Sequence, residues 1–265
     1  MDGMGIPVTP LFVPGDRPER FAKAAASGAD AVIIDLEDAV APEKKPEARR
    51  AAAQARPEGV PLFIRINADQ SAWHAEDMAA VRESPAGIIL PKAEEAASLA
   101  SIRAAIGPGR PIIALIESVR GLGAARELAR HASALAFGSI DYAADLGIAH
   151  TREALLWARS ELAFASRLAG IAAPIDGVTA TIGDDALTEA DARHAMEMGF
   201  GGKLLIHPRQ VPAARRGFAP SEAEITWARE VLSAEGDGAV QVGGMMIDAP
   251  VRIRAERILA RAPKG

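Results

Sequence analysis

Two carboxylates, Glu117 and Asp141, close successive apolar runs, PIIALIES (111–118) and ALAFGSID (134–141), and Arg65 stands near the end of a third, PLFIRIN (61–67). Carboxylates are hard oxygen donors. Two of them, completed by water and substrate oxygens, are a usual grip for Mg2+, with Mn2+ as the alternative. A guanidinium adds a fixed fork of donors suited to a carboxylate or to a developing enolate oxygen. The three residues together point to a divalent-cation site for a carboxylate or carbonyl substrate.

Other polar residues gather at the same ends of neighbouring runs: Gly15, Asp16 and Arg17 after PLFVPG, Asp35, Glu37 and Asp38 in AVIIDLED, Asn67 after Arg65, Lys92 in GIILPK and His207 in GKLLIHP. Buried strands are otherwise nearly all apolar, so charge repeated at one end marks a polar site. Of the three acids in 35–38, one is expected to orient Arg65 and another to hold a water, while strand alternation turns one elsewhere. Asp145 is a rival ligand, expected in the turn after Asp141 and solvated. Lys92 and Lys203 read as charge partners, with a Schiff-base aldolase as the other option. His207, before Pro208, reads as a loop hydrogen-bonding residue more readily than as a catalyst. The five histidines have no HxH or HExxH spacing, which disfavours a histidine zinc site. The absence of cysteine excludes disulfides, thiolate nucleophiles and zinc–thiolate sites.

The elements that must position these groups follow from the alternation of the chain. Eight short β-rich runs, beginning at 10, 31, 61, 87, 111, 134, 174 and 202, are separated by Ala/Glu/Arg-rich stretches with helical periodicity. Gly28, Gly107, Gly170 and Gly199 sit where helices should end with a left-handed residue. Strict β–α alternation implies a parallel sheet, and eight such units in 265 residues match an α/β fold of the (β/α)8 TIM-barrel kind. The barrel is expected over 1–218. A C-terminal helix-hairpin-helix extension over 219–265 is expected to act as a flap or oligomer contact: Ser221 and Glu224 form a capping box, AVQVGGMMI reads as a hairpin around Gly243 and Gly244, and Asp248 precedes a basic helix. A net charge of −5 gives no footprint for nucleic acid, and no run is long enough to span a membrane. A soluble, cytoplasmic protein is the expectation.

The strings LFVPGDRPER, DLEDAVAPEKK, IRIN, LPKAE, ALIES, FGSIDYAADLG, GGKLLIHPRQV and MIDAPV, in this order, resemble the citrate lyase β-subunit-like members of the HpcH/HpaI aldolase and malyl-CoA lyase group, from about residue 10 to 258. The resemblance implies a TIM barrel assembled as a homotrimer or hexamer. It also implies Mg2+-dependent carbon–carbon cleavage of a 3-hydroxyacyl-coenzyme A thioester, such as a citryl, malyl or citramalyl ester. Glu117 and Asp141 then correspond to the metal ligands and Arg65 to the arginine that stabilises the enolate; Glu37 and Asp38, read from the strand end itself, are further catalytic candidates. Asp248 resembles an acid/base that some relatives place in a neighbouring subunit, with a plain helix cap as the alternative. Arg17 and His207 would lie near the coenzyme. Ile140 departs from the pattern, since many relatives carry Glu there. An aldolase acting on free 2-keto acids, or a citrate lyase subunit working with acyl-carrier and transferase chains, is the alternative.

Overall fold

The computed structural model describes residues 4–82, 84–233, 240–242 and 245–262. Its centre is an eight-stranded parallel sheet in which each strand pairs with the next in the chain: β1 (Pro10–Pro14), β2 (Ala31–Asp35), β3 (Leu62–Arg65), β4 (Gly87–Leu90), β5 (Ile112–Ile116), β6 (Ala134–Phe137), β7 (Ile175–Asp176) and β8 (Gly202–Lys203). A parallel bridge between Leu11 and Leu205 brings the chain after β8 back to β1, and the Phe12 N–H donates to Leu205 O at 2.8 Å. The sheet therefore all but closes into a barrel, with helices around it. All eight expected runs contain a strand. Gly28, Gly107, Gly170 and Gly199 all adopt positive φ.

Because successive strand residues face opposite sides, each strand divides between two apolar clusters. Ala31, Ile33, Phe63, Ile89, Ile113, Leu115, Ala134 and Ala136 belong to one cluster, the barrel interior. Val32, Ile34, Ile64, Ile88, Leu90, Ala114, Ile116 and Leu135 belong to the other, beneath the helices. Counting on by two from the interior positions, Asp35, Arg65 and Glu117 share the inward parity, whereas Leu36 and Ile66 pack with the outer cluster.

One reading changes. ALAFGSID is not a strand throughout: β6 stops at Phe137, and a helix runs from Ser139 to Leu146 with Asp141 in its first turn. The Gly138 N–H is still bonded to Ile116 O at 2.8 Å, and its carbonyl already accepts the Tyr142 N–H at 3.0 Å, so the chain leaves the sheet at that glycine.

The turn after β2 is anchored from behind. The buried Lys45 ammonium donates to Leu36 O at 2.8 Å, Glu37 O at 2.9 Å and Asn67 Oδ1 at 2.7 Å. Asn67 in turn donates to Leu36 O and to Asp77, which also binds Arg49.

The tail holds the helix Glu222–Ser233, the antiparallel strands β9 (Val240–Val242) and β10 (Met245–Ile247), and the helix Ala249–Arg261. Ser221 Oγ accepts the Glu224 N–H at 3.2 Å and Glu224 Oε2 accepts the Ser221 N–H at 2.8 Å, a reciprocal capping box. The turn expected at Gly243 and Gly244 lies outside the described residues. Ala228, Val231, Ile247, Ala255 and Ile258 form a small apolar cluster of their own. Among the described residues, no helix is long and apolar enough to cross a membrane.

Replacing Lys45 by Met leaves two buried carbonyls without this donor. The expected loss is about 1–3 kcal/mol of unfolding free energy, read in a urea titration; an unchanged midpoint would show that the ammonium does not anchor this turn.

Candidate active site

Asp35 and Arg65 are direct partners across β2 and β3. Arg65 donates Nε to Asp35 Oδ1 and Nη2 to Asp35 Oδ2, both at 2.7 Å. Burial alone would raise the Asp35 carboxyl, but the guanidinium and the N–H groups of Glu37 and Ala39 hold it below its usual value. Burial opposes the charge on Arg65, and Asp35 more than compensates, so its pKa is raised. The guanidinium lies over the Phe12 ring at 4.9 Å, and its Nη1 stands 3.2 Å from Glu37 Oε2. The acid that orients Arg65 is thus Asp35. Glu37 comes second, and Asp38 is the one turned outward, its side chain 61% exposed and 4.0 Å from both Arg65 Nη1 and Lys92 Nζ.

Glu117 follows β5 immediately and is buried. Its Oε1 accepts the Lys92 N–H at 2.7 Å. Lys92 is the only described non-glycine residue with positive φ, at 47°, a conformation that aims its N–H at Glu117 while its ammonium hydrogen-bonds Glu37 Oε1. Burial, reinforced by the charge of Glu37, pushes the Glu117 carboxyl up to about 8. Burial also raises Glu37, which Arg65 and Lys92 only partly offset. Gly138 is required here: a Cβ on it would fall 2.4 Å from Glu117 Cβ and 2.6 Å from Oε2.

Asp141 joins the same site from the first turn of its helix, where the positive end of the helix dipole favours a carboxylate. Phe12, Asp35, Arg65, Glu117, Gly138, Ile140 and Asp141 line one cavity of about 290 Å3. Asp145 is exposed, as expected, but sits in the helix Ser139–Leu146 rather than in a turn after it, and its Oδ2 accepts the Val119 N–H at 2.7 Å, tethering the helix that follows Glu117. Ile140 is partly exposed on the cavity wall.

Phe12 and Ile206 also wall a second cavity of about 380 Å3, which His207, Pro208, Arg20 and Lys23 complete. His207 Nδ1 accepts the Arg209 N–H at 3.1 Å. Arg17 is exposed in the loop before this cavity, 4.0 Å from Asp16, and is not part of its wall. Asp248 lines neither cavity. It caps the last helix, with Oδ1 accepting the Val251 N–H at 3.1 Å. Arg20, Lys23 and Phe12 were not singled out from the sequence. Arg20 and Lys23 look like ordinary cations of an exposed helix, and Phe12 like any strand residue.

An eight-stranded barrel that gathers an arginine and several carboxylates at the ends of its strands is built as an enzyme of the aldolase and lyase class. The comparisons specify the family. The model for HpcH/HpaI aldolase/citrate lyase matches residues 9–208, and the chain belongs to that family. A citrate lyase subunit beta-like protein of Mycobacterium tuberculosis is 38% identical over 264 residues, covering 95% of this chain and 94% of the relative. A (3S)-malyl-CoA thioesterase of Cereibacter sphaeroides is 33% identical, covering 95% and 93%. The crystal structure of CitE from M. tuberculosis in complex with magnesium, acetoacetate and coenzyme A matches with a TM-score of 0.87 at 37% identity, covering 98% of each chain.

Gly138→Ala should push Glu117 out of place. The expected result is a loss of at least about tenfold in kcat/KM with the circular dichroism spectrum retained. Wild-type turnover would mean that Glu117 tolerates displacement. Arg65→Lys keeps the charge but loses the fork, and about a hundredfold loss in kcat/KM is expected.

Proposed function

We propose that this chain is a magnesium-dependent carbon–carbon lyase acting on a 3-hydroxyacyl-coenzyme A thioester, releasing an oxo-acid and a shorter acyl thioester. The observation that carries the reading is the cavity that unites Glu117, Asp141 and the Asp35-bound Arg65. The magnesium, acetoacetate and coenzyme A of the related CitE complex agree with it.

The residues fit a hard cation. Glu117 carries a carboxyl raised by burial and by Glu37, and Glu37 Oε2 is buried with no hydrogen-bond partner among the described residues. A divalent cation would relieve that crowding of carboxylates. Among the described residues no group of three or more His, Cys, Asp or Glu side chains could hold a metal. Glu117 and Asp141 would therefore hold Mg2+ with water and substrate oxygens in the remaining places. The ion, when bound, supplies Lewis-acid polarisation and a template for the substrate's oxygens.

The chain's own groups account for the proton and charge movements. Glu37, its carboxyl raised by burial and its Oε2 ion-paired with Arg65 Nη1 at 3.2 Å, takes the proton from the substrate hydroxyl; the carbon–carbon bond breaks, the hydroxyl carbon becomes the carbonyl of the oxo-acid, and the electron pair passes to a thioester enolate. Arg65, already held by Asp35, stabilises that enolate with no reorganisation of its own. Glu37 then gives the proton it took to the enolate carbon, which completes the acyl thioester and restores the base. Asp38 sits at the rim with Lys92. The Arg20, Lys23 and His207 cavity, joined to the site through Phe12 and Ile206, would receive the coenzyme, with Arg17 at its approach. Asp248 enters this reading only from a neighbouring copy of a homotrimer or hexamer. Lys92 is a poor Schiff-base nucleophile: burial opposes its charge, but the hydrogen bond and charge of Glu37 raise its pKa and keep it protonated.

The decisive experiment incubates the protein and Mg2+ with malyl-, citramalyl- and citryl-coenzyme A and reads products by mass. At least one ester should yield an oxo-acid and a shorter thioester; no cleavage across the panel would reject the lyase reading, and release of the free hydroxy acid with coenzyme A would indicate a thioesterase. EDTA should abolish cleavage and Mg2+ restore it. Glu117→Gln should lower kcat by about a hundredfold or more, and a variant that kept full turnover would remove Glu117 from the metal.

A further inference from the structure

Glu117 and Arg65 are each fixed by hydrogen bonds of their own, one to the Lys92 N–H and the other to Asp35. Asp141 differs. It is exposed, and its carboxylate has no hydrogen bond or ion pair among the described residues. Where that carboxylate stands is decided by the backbone that carries it, the first turn of the helix Ser139–Leu146. Whatever fixes this turn fixes Asp141.

On one side Gly138 seats the turn against Glu117. On the other, Ser139 ties it down. Ser139 lines the Glu117 cavity but is only 2% exposed. A buried hydroxyl needs a hydrogen-bond partner, and here it is His150, whose Nε2 lies 3.0 Å from Ser139 Oγ. The hydroxyl is also packed against the bare face of Gly177, just after β7. A Cβ at that position would fall 2.4 Å from Ser139 Oγ and 2.8 Å from Phe137 O. Glycine and imidazole together leave the Ser139 side chain one place.

His150 reaches this position because the chain doubles back. Gly147 ends the helix in the left-handed region, with φ 74°, and the Ile148 N–H closes onto Ala143 O at 2.9 Å. Ile148 packs against the outer apolar cluster and Leu155 belongs to it, so the loop between them is anchored at both ends. Within that loop, His150 returns to the opposite end of the helix that it follows.

We propose that His150 is a positioning residue of the metal site: through Ser139 it sets the first turn of the helix, and with it the Asp141 carboxylate. The inference rests on the reading of Glu117 and Asp141 as the ligands of a divalent cation. It adds to that reading a residue placed to touch neither the cation nor the substrate.

The test titrates the metal-free full chain with Mn2+, without substrate, and reads free Mn2+ by electron paramagnetic resonance. The unaltered chain should bind the ion. His150→Leu and Ser139→Ala should each weaken binding about tenfold with the circular dichroism spectrum retained. His150→Gln, whose amide can bond the same hydroxyl, should bind within about twofold of the unaltered chain. Should His150→Leu fail to fold, Ser139→Ala carries the test. Undiminished affinity in His150→Leu and Ser139→Ala, or a loss in His150→Gln as large as in His150→Leu, overturns this proposal and leaves the metal reading standing. No binding by the unaltered chain up to about 10 mM Mn2+ overturns the metal reading, and this proposal with it.

Discussion

Arg65 brings a nearly buried charge to the mouth of the barrel, and it can do so because Asp35 stands directly beside it on the next strand. A buried charge is tolerated only when paired and hydrogen-bonded, and the two parallel bonds to Asp35 meet both conditions while leaving Nη1 and the ring-facing surface of the guanidinium for other work. Asp35 does more than neutralise. It accepts the N–H groups of Glu37 and Ala39, so the same carboxylate that aims Arg65 also shapes the turn that carries Glu37. Lys45 and Asn67 hold that turn from the opposite side. Arginine, acid and turn are one hydrogen-bonded unit.

Around this unit the site concentrates negative charge. Glu117 is kept in place by the backbone N–H of Lys92 and by the bare face of Gly138, and Glu37 by the Lys92 ammonium. Burial and mutual repulsion raise both carboxyls, the condition in which a hard cation gains most from binding. The left-handed backbone of Lys92 is unfavourable by about 1–3 kcal/mol, and it is what lets one residue serve both acids.

The helix-facing layer has an opposite character on the two sides of the molecule. Beneath most of the barrel it is a continuous apolar cluster, but at β7 and β8 it holds the buried ion pair of Asp176 with Arg159, beside Lys203. Arg159 bonds Asp176 through two of its nitrogens, as Arg49 bonds Asp77 and Glu76 in the network behind the β2 turn.

The apolar runs and their β–α rhythm determined the barrel, since parallel strands buried on both sides have no alternative but near-continuous hydrophobic sequence. Charge at one end of those runs equally determined that a polar site exists and that Arg65, Glu117 and Asp141 belong to it. Only the tertiary structure decided how they are held. Asp35, Glu37 and Asp38 are chemically alike within four positions, and inter-strand register with the shape of one turn gave the arginine to Asp35, Lys92 to Glu37 and the rim to Asp38. Asp141 could not be separated from its strand-like run by composition; the close packing of Gly138 on Glu117 marks where the strand ends and the helix begins. Arg159 and Asp176 come from a helix and from β7, and their buried pair exists only because the helix packs over the short strands β7 and β8. Local pattern specifies which face of the chain is buried, but which buried charges meet depends on register and packing, and those are set by the closed barrel as a whole.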